Sequence, residues 1–284
     1  MSTVTSPTAS HTVCVGQITL TQLKDGSVHH APSQAFFGIN AEPGDFRAVC
    51  ADNALDPGGF DFPVTVTLVE TAGHRVLVDA GFGPAQHPVA GQLHASLLAN
   101  GIPADSIDTV LISHLHRDHV GGLLDDRGGI SFPAARHLIT QAEIDYWLSE
   151  TAEPGLCALA ERLVETLGDR LQVCAPGDEV APGVTVLDGA GHTPGHVCVL
   201  IESDGSAALV MSDLANHAIW SMAHPDWYMS LDVDPLEAAR VRRELLDFAS
   251  DRHLLIAGYH LPFPALGYVS RDGDGFCYEP LAAD

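Results

Sequence analysis

The segment LISHLHRDHVGG, at residues 111–122, places three histidines and one aspartate within six positions directly after an apolar run. Side chains two residues apart in an extended segment point the same way, so His114 and His116 can bind one ion. Beyond the turn that follows, Asp118 and His119 are offset and can face a neighbouring ion. A solvated loop that happens to be rich in histidine is the plainer alternative. Four potential ligands at this spacing, at the end of a strand, favour a site for zinc, iron, manganese or cobalt.

Three later segments repeat the arrangement in which a strand ends on a histidine or an aspartate. His192 lies in the turn AGHTPGH, Asp213 ends LVMSD and His260 ends IAGYH. Each residue alone has an ordinary explanation, because an aspartate at a strand end often forms a turn and a single histidine often only hydrogen-bonds. Together the segments supply seven potential ligands, which are too many for one tetrahedral ion but suit two ions that share a carboxylate.

Strand-like and helix-like segments alternate in both halves of the chain, which predicts a layered α/β fold with sheets inside and helices outside. Residues 63–83 alternate at period two, break at Ala72 and Gly73 and resume, which predicts a β-hairpin. Residues 30–62, rich in Gly, Pro and Asp, are typical of a long ordered loop. Residues 1–12 are predicted to be a disordered tail. Further strands are predicted at 13–23, 107–113, 183–189, 196–203, 207–213 and 253–259, and the strand at 253–259 is expected to be the final one. Helices are predicted at 90–100, 140–147, 155–168 and 234–250.

The composition argues against several classes of partner. The formal net charge is −24, from 13 basic and 37 acidic residues, so a small neutral or hydrophobic substrate is expected rather than nucleic acid or an anionic membrane. No apolar run reaches the ~18 residues of a membrane span, and the polar N-terminus lacks the features of a signal peptide. The six cysteines lack CxxC spacing, which predicts reduced thiols and no cysteine-built zinc site. We therefore expect a cytoplasmic protein, and a homodimer is compatible with the sequence.

The motifs HLHRDH and GHTPGH, followed by a strand-ending aspartate and a later histidine, resemble those of the metallo-β-lactamase superfamily. The segment VDAGFG is also similar to the strand and turn that precede the metal motif in that family. The resemblance covers the chain from about residue 13. It implies an αββα sandwich formed by one domain over residues 13–284, with the metal site at one edge of the β-sandwich. It also implies two metal ions, one bound by His114, His116 and His192 and the other by Asp118, His119 and His260, with Asp213 bridging them.

The resemblance also indicates a branch of the superfamily. Asp213 stands where true β-lactamases place a cysteine on the second metal, so the chain looks closer to the lactonase and phosphotriesterase-like branch. The segments HLPFPALGYV and HPDW are similar to the methyl parathion hydrolase-like subgroup and its esterase and lactonase relatives. This likeness implies a hydrolase that cleaves carboxylic esters or lactones, with phosphotriesters as a side reaction.

The expected cofactor is a pair of divalent ions, with zinc as the first choice and iron, manganese or cobalt as alternatives. Such a pair lowers the pKa of bound water from ~15.7 towards ~7, so the expected nucleophile is a metal-bridging hydroxide. Asp118, beside that water, could pass a proton to the leaving group, although pure metal ligation is the plainer role. Three other activities stay open: an iron-dependent redox enzyme on the same fold, a thioester hydrolase of the glyoxalase II type, and a non-catalytic metal-binding module.

Aromatic residues in the early loop and in the stretch after Asp213 are candidates for an apolar substrate pocket. Alternatively, most of these rings fill the undersides of the two segments. Two other residues are expected to support ligands without binding metal, Asp79 by hydrogen-bonding a ligand histidine and His196 by orienting its turn. The candidate pocket residues are Phe36, Phe37, Phe46, Phe60, Trp220, Trp227 and Tyr228, and Tyr228 or Tyr259 could polarise a substrate carbonyl.

Overall fold

A computed structural model describes residues 9–83 and 89–281. Within these residues the strands form two seven-stranded sheets, and each sheet keeps its strands in chain order. In the first sheet the pairs from β1 to β4 are antiparallel, and those from β4 to β7 are parallel. Its strands are β1 Ser10–Val15, β2 Ile18–His30, β3 Phe60–Thr71, β4 His74–Val78, β5 Thr109–Leu111, β6 Arg136–Thr140 and β7 Leu171–Cys174.

The second sheet is antiparallel except where β11 and β12 run parallel. Parallel neighbours end at the same edge of a sheet, so the loops that follow β11 and β12 emerge side by side. The strands are β8 Glu179–Ala181, β9 Val184–Asp188, β10 Val197–Ser203, β11 Ser206–Ser212, β12 Leu255–Gly258, β13 Leu266–Asp272 and β14 Gly275–Pro280.

The helices begin and end at residues whose chemistry explains their limits. At the start of one helix, the Thr140 hydroxyl accepts from the Glu143 amide. Asp234 caps the last helix in the same way, and Pro235 is the first residue of that helix. Another helix ends at Gly168, whose φ is 50°. No helix in the described part of the chain is both long enough and apolar enough to cross a bilayer. The helices are α1 Pro43–Asp52, α2 Leu93–Ala99, α3 Arg117–Val120, α4 Gln141–Trp147, α5 Pro154–Leu167 and α6 Pro235–Arg252, with a π-helical turn at Ala218–Ala223.

Side-chain alternation along the strands builds three apolar layers. In β10, Val197, Val199 and Ile201 face the first sheet, whereas Cys198 and Leu200 face α6. The first sheet likewise packs one face against the second sheet and the other against α2, α4 and α5. The layers are therefore helix, sheet, sheet and helix, and the predicted αββα sandwich is confirmed.

The β-hairpin predicted over residues 63–83 is present, formed by β3 and β4 around Ala72 and Gly73. Both turn residues have positive φ, at 45° and 83°. Such a turn matches the twist of the two strands it joins, which explains why a short glycine-containing break was a dependable signal.

The start of the chain differs from its prediction. In place of one strand at 13–23, β1 and β2 form a hairpin that turns at Gly16, whose φ is 59°. The tail predicted over 1–12 is wrong for residues 10–12, because Ser10 pairs with Leu23 of β2. Residues 1–8 of that tail lie outside the described residues. The single domain over 13–284 stays a prediction.

Two further segments hold more regular structure than the sequence predicted. The loop predicted over 30–62 contains α1, a helix that buries only Phe46 and Cys50 and so shows little apolar periodicity. The strand β12 is also not the final one, because β13 and β14 form a hairpin after it. The prolines of HLPFPALGYV are not typical of a strand interior, so the sequence did not indicate this hairpin. They precede β13, which begins at Leu266.

His137 in β6 generates a prediction about acid stability. It is fully buried, and neither ring nitrogen has a hydrogen-bond partner among the described residues. Burial, assisted by the Arg170 charge, lowers the pKa of His137 to about 4. An unfolded histidine has a pKa of ~6.5, so this group stabilises the fold fully above ~6.5, and that contribution is lost as the pH falls towards 4.

We therefore expect His137→Leu to lose less free energy of unfolding between pH 7.5 and pH 5 than the unsubstituted chain, by on the order of 1–2 kcal/mol. Urea unfolding at the two pH values measures this difference. His74→Leu, at the exposed β3–β4 turn, is the matched control and should leave the pH dependence unchanged. Equal pH dependence in the His137 variant would contradict the assignment.

Candidate metal centre

The seven predicted ligands meet at one edge of the sandwich. All of them follow the carboxyl ends of strands, and the parallel pairs β4–β5 and β11–β12 place several of these ends side by side. A backbone hydrogen bond of 3.1 Å from the Val197 amide to the Ser113 carbonyl joins the second sheet to the loop after β5. His114, His116, Asp118 and His119 follow β5, His192 follows β9, Asp213 follows β11 and His260 follows β12.

Three histidines and one carboxylate oxygen form a first group. His116 Nδ1 lies 2.9 Å from His114 Nε2 and 3.0 Å from His192 Nε2. Asp213 Oδ2 lies 3.2 Å from His192 Nε2 and 3.9 Å from His114 Nε2. All four residues are buried, and their ligand atoms lie within 4.8 Å of one another. The group has the number and type of donors that a tetrahedral site needs.

The other oxygen of Asp213 faces a second group. Asp213 Oδ1 lies 3.1 Å from both His119 Nε2 and His260 Nε2. Asp118 Oδ2 completes the group at 3.8 Å from the first of these nitrogens and 3.4 Å from the second. Asp213 therefore presents one oxygen to each group, as a carboxylate shared by two ions would.

Unpartnered polar atoms in the second group test whether a metal fits. Within residues 9–83 and 89–281, His119 Nε2, His260 Nε2 and Asp213 Oδ1 are buried and lack a hydrogen-bond partner. Burying three such atoms without partners is costly, and a bound cation would satisfy all of them at once. Imidazole nitrogens together with carboxylate oxygens suit zinc, iron, manganese or cobalt. The residues present therefore fit two divalent ions.

The pKa values of the buried groups at the site are shifted in both directions. Burial, with the neighbouring imidazoles, lowers the pKa of His114 and of His116 well below the usual range. Burial alone would raise the pKa of Asp213, but the His260 and His119 charges hold it well below its usual range. Burial alone would lower the pKa of His119 and His192, but Asp213, with Asp79 beside one ring and Asp232 beside the other, raises it, to about 9 for His192. A bound cation would therefore have to displace protons from these two rings, because only a free ring nitrogen binds metal.

Asp79 lies where the sequence predicted it, beside a candidate ligand. Its carboxylate accepts from the Ser113 amide and hydroxyl at 2.7 Å each, and lies 2.9 Å from His119 Nδ1. Because the carboxylate can only accept, Nδ1 carries the proton and Nε2 is left as the ligand atom. Asp79 holds this place at a φ of 66°, a conformation that costs a non-glycine residue energy and is characteristic of functional sites.

His196 lies behind Asp213 rather than among the ligands. Its Nδ1 lies 2.8 Å from the Gly189 carbonyl, which fixes Nε2 as an acceptor, and Nε2 accepts from the Asp213 amide at 3.1 Å. Burial lowers the pKa of His196 to about 4, so the ring stays in this neutral form. His196 thus connects the Gly189 carbonyl to the Asp213 amide, and its role in orienting the turn stays a prediction.

Sequence reasoning missed a carboxylate behind His192. Asp232 Oδ1 lies 2.9 Å from His192 Nδ1, and Asp232 Oδ2 accepts from Arg242 at 3.3 Å. Arg242, buried in α6, also donates to the carbonyls of Leu214, Pro225 and Trp227. The segment LDVDP contains two aspartates, and nothing in it distinguishes Asp232 from Asp234, which caps α6. The contact of Asp232 with His192 therefore could not be predicted from the local sequence.

The aromatic candidates form one packed cluster. Phe37 and Trp220 are 1% exposed, and their rings lie 5.4 Å apart, which matches the alternative that rings fill the undersides of loops. Phe46 and Phe60 are buried in the same cluster, whereas Phe36, Trp227 and Tyr228 are partly exposed, so contact with substrate stays a prediction for these three. Phe62, which the sequence did not indicate, stacks on the candidate ligand His260 at 3.6 Å.

Tyr259 differs from its predicted use. Its hydroxyl donates to the Asp118 carbonyl at 2.6 Å, and its ring stacks on His119 at 4.0 Å. The single hydroxyl proton is therefore engaged and is not available to polarise a substrate carbonyl. Tyr259 instead supports two members of the second group.

Comparisons with known proteins agree with this geometry. Residues 59–260 match the model of the metallo-beta-lactamase superfamily. An N-acyl homoserine lactonase from Bacillus sp is 28% identical over 182 residues, which are 57% of this chain and 67% of that protein. Metallo-beta-lactamase domain-containing protein 1 from Mus musculus is 28% identical over 222 residues, which are 76% of this chain and 70% of that protein.

Two solved structures are similar over nearly the whole chain. AidC, a dizinc quorum-quenching lactonase in complex with a product, has a TM-score of 0.90 and 26% identity over 97% of this chain and 98% of its own. The hydrolase AbOPH of the beta lactamase superfamily has a TM-score of 0.87 and 23% identity over the same shares, a likeness that shows the fold.

The position of Asp213 predicts how substitutions change metal content. We expect the zinc-loaded chain to retain about two ions after dialysis, His260→Ala about one, and Asp213→Ala fewer than one, because only Asp213 serves both groups. Elemental analysis of each variant measures zinc per chain. His74→Ala, on the exposed β3–β4 turn, should match the unsubstituted chain. Retention of two ions by Asp213→Ala would contradict the shared carboxylate.

Proposed function

The chain belongs to the metallo-beta-lactamase superfamily and is a metal-dependent hydrolase, and from that premise we propose that its substrate is a lactone or another carboxylic ester. The observation that carries the proposal is the placement of Asp213, with one oxygen towards each of two ligand groups. This arrangement suits a dinuclear centre better than a single closed structural site. Its lactonase relatives favour ester chemistry over the redox and thioester alternatives.

We assign the first ion to His114, His116 and His192, and the second to Asp118, His119 and His260, with Asp213 between them. Zinc is the proposed metal, and iron, manganese or cobalt fit the same donors. When bound, two such ions supply Lewis acidity for a substrate oxygen and lower the pKa of water towards neutrality.

Asp118 is the member of the ligand set most open to substrate. Its side chain is 17% exposed, whereas those of His119 and His260 are fully buried. The carboxylate stands at the start of α3, and the Tyr259 hydroxyl holds the Asp118 carbonyl, so its backbone is fixed. We propose that Asp118 passes a proton from the attacking water to the leaving group in addition to its place among the ligands.

The substrate is proposed to be neutral and partly apolar. The net charge of −24 disfavours anionic substrates. Beside His260, the rings of Phe62 and Phe36 lie 5.4 Å apart and continue into the aromatic cluster, which gives the site one apolar wall. An N-acyl homoserine lactone combines an uncharged ring with an apolar chain, so this class is the first to test. A cytoplasmic location, a homodimer and the methyl parathion hydrolase-like subgroup remain predictions from sequence.

A hydrolysis panel tests the proposed reaction. We expect the zinc-loaded chain to turn over acyl-homoserine lactones and aryl esters, with phosphotriesters slower and β-lactams inert. Exhaustive chelation should abolish turnover and added zinc should restore it, while His116→Ala should remain inactive under both conditions. Full lactone turnover by the chelated chain would refute a metal-dependent mechanism.

Leaving-group dependence tests the proton transfer by Asp118. An alkoxide released from a lactone needs a proton, whereas 4-nitrophenolate does not. Asp118→Asn should therefore lower kcat/KM for the lactone by ~10²–10⁴ and lower it much less for a 4-nitrophenyl ester. Steady-state kinetics on the two substrates gives this ratio, with zinc content measured alongside. Equal losses on both substrates would mean that Asp118 acts as a ligand alone.

A further inference from the structure

Glu143 carries a buried carboxylate that the proposed chemistry does not use. Glu143 lies in the first turn of α4, where its amide donates to the Thr140 hydroxyl. Its carboxylate, however, turns into the protein and has no exposed surface. A charged group is retained at such a place only where hydrogen bonds replace the water it has lost.

The Glu143 carboxylate accepts four hydrogen bonds from three parts of the chain. Oε1 accepts from the Leu115 amide at 2.9 Å and from the indole of Trp147. Oε2 accepts from the Thr193 hydroxyl at 2.7 Å and from the Gly195 amide at 3.0 Å. Each oxygen therefore has two donors, which satisfies the carboxylate fully.

Two of these parts are the loops that supply the first ligand group. Leu115 lies between His114 and His116, and Thr193 directly follows His192. One carboxylate thus connects the backbones that carry all three histidines, and its four hydrogen bonds go to other residues.

Close packing leaves the second loop little freedom to move away from α4. A Cβ added at Gly195 would lie 2.2 Å from the Thr140 hydroxyl oxygen and 2.3 Å from the Glu143 amide, so only glycine fits there. The Thr140 hydroxyl also donates to the Gly195 carbonyl at 2.8 Å. At the start of α4, the loop is therefore held through both the amide and the carbonyl of Gly195.

The second ligand group is held by other residues. Asp79 contacts His119, the Pro63 carbonyl lies 2.7 Å from His260 Nδ1, and Tyr259 holds the Asp118 backbone. Glu143 has no hydrogen bond to any of these residues within the described ranges. Loss of its carboxylate should therefore affect the two groups unequally.

We propose that Glu143 is the positioning residue of the first metal group, because it sets the spacing between the His114–His116 segment and the His192 turn. This inference rests on the proposed function, since it assumes that the three histidines bind an ion. Glutamine at position 143 would keep the shape but present an amide N–H group to donors that now meet an oxygen, so the two loops should separate or rotate.

The experiment measures zinc affinity with only one group intact. His260→Ala leaves the first group complete, and His116→Ala leaves the second. Competition with a chromophoric chelator gives the zinc affinity of each background with and without Glu143→Gln. We expect about 10-fold or greater weakening in the His260→Ala background and little change in the His116→Ala background, the scale that ligand-supporting hydrogen bonds contribute to metal affinity.

Asp25→Asn is the matched control for loss of a buried carboxylate. Asp25 accepts from the amides of Phe82, Gly91 and Leu93, away from the first group. It should lower stability, measured by thermal unfolding, without selectively weakening zinc binding in the His260→Ala background. If Glu143→Gln fails to fold, Thr193→Val removes one of the four bonds and should weaken the same group by a smaller factor.

Each outcome separates the inference from the proposed function. Equal weakening in both backgrounds, or in neither, would overturn the positioning role of Glu143 while leaving the dinuclear hydrolase intact. Absence of zinc binding by the folded, unsubstituted chain would overturn the proposed function and the inference with it.

Discussion

The site depends on one carboxylate shared between two sets of imidazoles. Asp213 can present an oxygen to each set only because its backbone and its side chain are both held in place, and three features hold them. Ser212 turns the chain at a φ of 46°, the His196 ring accepts from the Asp213 amide, and Asn216 donates to Oδ2 at 3.2 Å. The strands beneath supply the rigidity, since β11 is buried on both faces between the other sheet and α6. The sandwich therefore holds these loops together, although their like charges and unpaired nitrogens would otherwise drive them apart.

Much of the fold and of the candidate metal site could be predicted from the sequence because the signals were local. The spacing of His114, His116 and His119 follows from how side chains alternate, and the β3–β4 turn follows from Ala72 and Gly73. The helix predicted from residue 234 does begin there, since Asp234 caps α6 and Pro235 is its first residue. The convergence of four distant segments was not local. It followed from counting ligands, which were too many for one ion, and from the family resemblance.

The residues that escaped prediction act through contacts that only the folded chain creates. Asp232 supports His192 across 40 positions, and Phe62 meets His260 across nearly 200. Helix α1 buries too narrow a stripe to show periodicity, and the prolines before β13 look like a loop. Conversely, Phe37 and Trp220 looked like pocket residues because exposure cannot be inferred from residue type, and both are buried by neighbouring rings.

The most direct test of the central claim is anomalous X-ray scattering from crystals of the zinc-loaded chain at the zinc absorption edge. We expect two peaks about 3.5–4 Å apart, the usual separation in two-metal sites, on opposite sides of the Asp213 carboxylate. One peak should lie among His114, His116 and His192, and the other among Asp118, His119 and His260. A single peak, or peaks away from Asp213, would contradict a shared carboxylate and the dinuclear hydrolase derived from it.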